Sequence, residues 1–197
     1  MKKIIALVIF CSMVSMTSVF SQVDNHFAIQ YDMSFGTGDL GEFISAGSFR
    51  GASMQYRRAV AHNILLGADL AWNVFYEKKD YDSYTSETET LSGVQWRYQS
   101  QVPMLIVADY VFSPDKDFQP YLGLGIGTMY TRRNIDMGIW RLKEDPWQFA
   151  LKPEAGFMYS FSYGSAVKLG VKYYSAFGGS LGTQGYVTVS LGFAWGF

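Results

Sequence analysis

Gly185-Tyr186-Val187-Thr188-Val189-Ser190-Leu191-Gly192-Phe193-Ala194-Trp195-Gly196-Phe197 alternates without a fault. Val187, Val189, Leu191, Phe193, Trp195 and Phe197 share one parity. Tyr186, Thr188, Ser190, Gly192, Ala194 and Gly196 share the other. A β-strand turns successive side chains to opposite faces, so this stretch reads as a strand with one uniformly apolar face. The opposite face is mostly small.

The same period recurs upstream. His26–Phe35 sets Phe27, Ile29, Tyr31, Met33 and Phe35 against Ala28, Gln30, Asp32 and Ser34. Ala52–Arg57, Asn63–Tyr76, Gln101–Phe112, Pro120–Thr131, Trp147–Tyr159 and Ala166–Tyr174 alternate likewise. These eight segments lie mostly near the ~9–11 residues that a tilted membrane strand needs. No segment carries a sustained helical stripe. Aromatic residues make up 17% of the chain and Gly 20 of 197 residues, the composition of strands with one greasy face.

The expected connections alternate in length. Arg58–His62, Ser113–Asp117 and Ser160–Ser165 are short. Gly36–Ser48, Glu77–Ser100 and Arg132–Pro146 are long, and Phe177–Gln184 is intermediate. Short turns at one end and long loops at the other suit an up-and-down barrel in a membrane. Eight strands is the smallest number that closes with side chains filling the interior.

The charges decide between a membrane barrel and a soluble ligand-holding one. Asp32, Arg57, Asp69, Asp109, Lys152, Glu154, Lys168 and Lys172 all fall on the small-residue face. The large apolar face of the same strands is nearly free of charge. A polar interior and a greasy exterior suit hydrocarbon, where a midplane Lys or Arg would cost ~2–4 kcal/mol. Aromatics gather at both ends of the apolar face, as two interfacial girdles would require.

Residues 1–21 have the layout of a secretory signal peptide: Lys2 and Lys3, an apolar run from Ile4 to Phe10, then Val19-Phe20-Ser21 before a cut at Gln22. The run is shorter than the ~18–20 residues of a spanning helix. Cys11 is the single cysteine and follows Phe10, which disfavours a lipid anchor. The expected mature domain, 22–197, then has no thiol. It keeps 14 Lys and Arg against 17 Asp and Glu, a net charge of −3, which argues against a nucleic-acid partner.

With these residues in view, the chain resembles the small eight-stranded outer-membrane barrels of the OmpA/OmpX type and the related β-barrel-domain proteins common in Bacteroidetes. The signal peptide carries the resemblance, with Gln119-Pro120-Tyr121-Leu122-Gly123-Leu124-Gly125-Ile126-Gly127, Lys152-Pro153-Glu154-Ala155-Gly156 and the terminal Phe197. It implies an all-β, closed, antiparallel, eight-stranded transmembrane barrel in the bacterial outer membrane, in contact with outer-membrane lipid. It also implies that Phe193, Trp195 and Phe197 are read by the barrel-assembly machinery. It implies little about activity, because sites rather than folds carry function.

Three function classes remain. The eight lumen charges read either as a structural ion-pair network filling the interior or as a polar path for small solutes. A structural or interaction protein would present its outer loops, above all Glu77–Ser100, whose Asp80-Tyr81-Asp82-Ser83-Tyr84-Thr85-Ser86-Glu87 suits adaptable contacts with an extracellular ligand or protein. A lipid-modifying enzyme is the weakest reading. His26 and His62 both fall at the short-turn end, away from outer-leaflet lipid, and no metal-ligand or cofactor spacing is present. Gly123, Gly125 and Gly127 precede no helix, so they are not a dinucleotide fingerprint. They are expected to leave room for long side chains inside.

Overall fold

A computed structural model describes residues 25–86, 89–137, 140–162 and 164–196. The signal-peptide expectation for residues 1–21 lies outside these residues, as does Phe197. The strands are β1 (Asn25–Gly38), β2 (Ser48–Ala61), β3 (Ile64–Ser86), β4 (Glu89–Val111), β5 (Phe118–Met137), β6 (Trp140–Glu144), β7 (Trp147–Ser162), β8 (Ser165–Phe177) and β9 (Gln184–Gly196). A short helix, α1 (Asp39–Phe43), interrupts the β1–β2 connection.

Every barrel strand pairs antiparallel with its sequence neighbours, β4 pairs with β5, and β1 pairs with β9 along its length from His26↔Gly196 to Gly38↔Gln184. First and last strands therefore meet and the sheet has no edge within the barrel. Eight strands close it. The ninth, β6, pairs only with β5 and continues the line of β7 above Asp145 and Pro146. Proline has no N–H to give a ladder, so the break falls there. Thr131 N still donates to Pro146 O at 3.1 Å, which holds the two segments in line.

The expected faces are the observed ones. Ile29, Met54, Leu70, Ile106, Leu124, Val171 and Leu191 are exposed, while Gln30, Gln55, Asp69, Val107, Lys172 and Ser190 are buried. Between the aromatic ends the outward positions of the described strands carry no charge. Rings pair in two belts. Phe27 meets Trp195, Tyr110 meets Phe112 and Phe118 meets Phe157 at the short-turn end. Phe35 meets Phe49, Tyr76 meets Tyr98 and Trp96, and Phe149 meets Phe177 at the other. An exposed greasy wall between two aromatic belts is what a bilayer demands of a spanning barrel.

Three long connections differ from the sequence expectation. Glu77–Ser100 is not a loop: β3 and β4 run on through it as a hairpin, paired from Glu77↔Arg97 to Ser86↔Glu89. Arg132–Pro146 is largely the hairpin of β5 and β6. Above the membrane both faces of a strand are wet, so the apolar alternation that marks a strand disappears. Tyr, Thr and Trp still favour extended backbone there. Gly36–Ser48 contains α1, where Leu40, Phe43 and the following Ile44 keep helical spacing too briefly to stand out. The barrel is thus lopsided, with a raised wall of β3 to β6 facing a low rim of β8, β9, β1 and β2.

Closure leaves little room at some crossings. A Cβ on Gly192 would overlap Ile29 O and Gln30 Cα across the β1–β9 seam. Gly192→Val is expected to abolish the compact, heat-shiftable band of the folded barrel on a semi-native gel, whereas Ser190→Ala should keep it.

Candidate functional site: the lumen and its outer mouth

Alternation sends one side chain in two inward from each strand, and eight strands bring charges from distant sequence into one buried layer. Arg57 of β2 is the hub. Its Nη1 pairs with Asp69 of β3, its Nε donates to Asp109 Oδ2 of β4 at 2.6 Å, and its Nη2 lies 3.5 Å from Glu154 Oε1 of β7. Lys152 pairs with both Asp69 and Glu154. Lys168 donates to Gln55 Oε1 at 2.7 Å, lies 3.8 Å from Glu154 Oε1, and sits 4.2 Å from the centre of the Tyr121 ring. Asp32 and Lys172 form a second group above it: Lys172 Nζ donates to Gln30 Oε1, Ser53 Oγ and Asp32 Oδ1 at 2.7, 2.9 and 3.3 Å.

All eight charges named from sequence are buried here, four of each sign. Six of them form one cluster, and Asp32 with Lys172 forms the other. The inward glycines adjoin them. A Cβ on Gly123 would strike Asp109 Oδ1 and Glu154 Cγ, and one on Gly125 would crowd Lys152. Below the charges, Leu65, Val111, Tyr121 and Met158 close the short-turn side of the lumen. An open pocket of about 850 Å³ lies beneath them, lined in part by His26, Asp115, Lys116 and Gln119. His62 sits outside the lumen in its turn, with Nε2 3.2 Å from Asp115.

The outer mouth was not foreseen from the sequence. Leu40 and Ile44 of the α1 segment are fully buried inside it, among Phe75, Leu105, Met129, Tyr174 and Tyr186. The Phe43 ring lies 4.9 Å from the guanidinium of Arg97 and 4.0 Å from that of Arg133. Arg97 Nη1 also donates to Phe43 O at 2.8 Å. Arg133 donates to Gln99 and Gln184, which bond each other at 2.9 Å. The run after α1 is tied to the raised wall where Ser45 N and Oγ donate to the Glu77 carboxylate at 2.9 and 2.8 Å. The visible signal was slight: three apolar residues at i, i+3 and i+4 among glycines.

Partial burial pulls the Glu77 carboxyl upward, but hydrogen bonds from Lys79 and Ser45 outweigh it and hold the group below the ordinary glutamate range. Because the folded value is the lower one, this tie is complete above the unfolded value of about 4.3 and is lost as pH falls through Glu77's own value. Protection of the Ser45 amide against hydrogen exchange, corrected for intrinsic rates, is expected to collapse in that acid window. In Glu77→Gln it should be weak at every pH. A second expectation concerns the charged layer: Glu154→Ala leaves Lys152 and Lys168 buried with one acid fewer, and breaking such a buried group costs about 3–5 kcal/mol. The urea midpoint of unfolding should fall accordingly, and an unchanged midpoint would contradict the network.

No protein-family model matches the sequence, and no characterised protein matches it by sequence alone. Solved structures match by shape. Neisserial surface protein A (NspA) aligns with a TM-score of 0.57 at 15% identity, over 89% of this chain and 98% of the other. Ail, the attachment invasion locus protein of Yersinia pestis, solved with the heparin analogue sucrose octasulfate, aligns at 0.54 and 13%, over 88% and 98%. The outer membrane protein OprG of Pseudomonas aeruginosa aligns at 0.51 and 16%, over 88% and 96%. The likeness is one of fold: this chain has the architecture of the small eight-stranded outer-membrane barrels.

Proposed function

We propose that this outer-membrane barrel has a closed lumen and acts as a structural or interaction protein through the hairpins it raises outside the cell. The observation that carries the reading is the mutual neutralisation of eight buried charges across the whole lumen section, from Asp32 to Lys172. A solute path through eight strands would have to break these pairs, and wide pores are built from more strands. The α1 segment adds a second obstruction at the mouth. The raised wall of β3 to β6 is offered outward, and exposed Tyr81 lies on its β3 strand. Ail, of the same fold, has been seen with a heparin analogue, which supports recognition of an extracellular ligand as a use of such a surface.

On this reading residues 1–21 are an export signal removed before assembly, and Phe193, Trp195 and Phe197 serve recognition by the barrel-assembly machinery. A narrow channel for small solutes is the second reading. It is favoured by carboxylate oxygens of the charged layer that have no hydrogen-bond partner among the described residues, namely Asp32 Oδ2 and Asp109 Oδ1. Single-channel recording of the refolded barrel in a planar bilayer separates the two. A closed lumen gives silence from a folded barrel, in wild type and in Glu154→Gln alike. Discrete currents that change with Glu154→Gln would establish the channel instead.

A further inference from the structure

Above its charged layer the lumen changes character. Phe75, Leu105, Met129, Tyr174 and Tyr186 form an apolar cup, with Tyr174 stacked on Tyr186 at 4.7 Å and Phe75 edge-on to Tyr186 at 5.5 Å. The α1 segment fills that cup with Leu40 and Ile44 but belongs to no strand ladder. What holds it is a short set of contacts: the Ser45–Glu77 bonds, the Arg97 bond to Phe43 O, and two guanidiniums at the Phe43 ring. Five residues are too few for a helix to be stable by itself. This helix also lacks a side-chain N-cap bond and is entered through Gly38 at φ +56°, a backbone setting that glycine adopts freely.

A second observation points to an absent occupant. Gln101 faces inward one lumen position below Gln99, is fully buried, and has neither amide atom bonded among the described residues. Buried amides are ordinarily satisfied, so an unused donor and acceptor at one spot marks a place for a polar group. The charge around the cup is balanced. Arg97 stands opposite Glu77 in the β3–β4 ladder, and Arg133 stands opposite Glu144 in the β5–β6 ladder. A neutral polar group therefore suits it better than an anion.

We propose that the α1 segment is a displaceable lid over an outward-facing binding cup, and that the cup takes a small, uncharged apolar molecule bearing a carbonyl group. The lid itself shows the fit. Leu40 and Ile44 supply the apolar body, and Phe43 O supplies the carbonyl that Arg97 holds. A ligand replaces both sets of contacts at once, with the Gln101 amide free to bond its polar end. The cup is blind because the ion-paired layer floors it, and in that respect alone the inference rests on the closed lumen proposed above. Labelling reads the cup and conductance reads the path below it, so the two can fail separately.

Benzophenone is an uncharged apolar ketone that inserts into nearby C–H bonds on illumination, and it serves as the probe. Wild type and Leu40→Ser/Ile44→Ser, each shown to be folded by its heat-shiftable band, are illuminated with it and mapped by mass spectrometry. Labels on the lipid-facing belt report equal loading in both. Peptides containing Leu105 or Tyr186 should carry about tenfold more lumen-side label in the variant, because the truncated lid competes less well for the cup. In wild type, saturating benzophenone should speed exchange of the Ile44 amide, which bonds Leu40 O at 2.8 Å. Label confined to the outer belt in the folded variant overturns the cup. Unchanged Ile44 exchange in wild type overturns the displaceable lid, and that measurement decides alone should the variant not fold.

Discussion

Hydrocarbon offers no hydrogen bonds, so every backbone N–H and C=O that enters it must find a partner within the protein. This chain meets the demand by pairing its first strand with its last. The β1–β9 seam runs unbroken over thirteen residue pairs, and the β4–β5 ladder over seventeen, so no edge faces lipid. Closure in turn fixes which side chains can stand where. One parity meets the bilayer and carries no charge between the aromatic belts. The other meets itself across a narrow lumen, where charges are paired and the remaining side chains are small, polar or packed in apolar clusters.

The paired lumen follows from that geometry. A buried charge without a partner is costly, and replacing a buried pair by apolar groups is often neutral or stabilising. Retaining eight charges therefore sets the interior apart from a plain greasy core, and the two signs balance. Arg57 serves three acids from three strands because its fork offers five donors in fixed directions, where a lysine would offer a point charge. Gly123 and Gly125 leave the volume that these long side chains occupy. Above this layer the interior turns apolar and the molecule fills it with a piece of its own connection. Charged in its lower layer and capped by the α1 segment above, the lumen is filled by the chain's own side chains, and β3 to β6 rise furthest beyond it.

The barrel is legible in the residues alone. Period two survives in each of the eight segments from His26–Phe35 to Gly185–Phe197, because lipid outside and a packed lumen inside impose opposite demands on neighbouring residues. The same rule assigned Asp32, Arg57, Asp69, Asp109, Lys152, Glu154, Lys168 and Lys172 to the interior, since parity alone fixes the face. Tertiary structure sets which of them pair, because partners such as Asp69 and Lys152 lie on β3 and β7, and their meeting depends on strand tilt and register around a closed barrel. It also decided what lies outside the bilayer. There β3 and β4 continue as a hairpin through Glu77–Ser100, where water bathes both faces and removes the alternation. The helix α1 folds back into the mouth because the barrel supplies an apolar cup for Leu40 and Ile44, and five residues carry no periodic signal of a burial made entirely by distant strands.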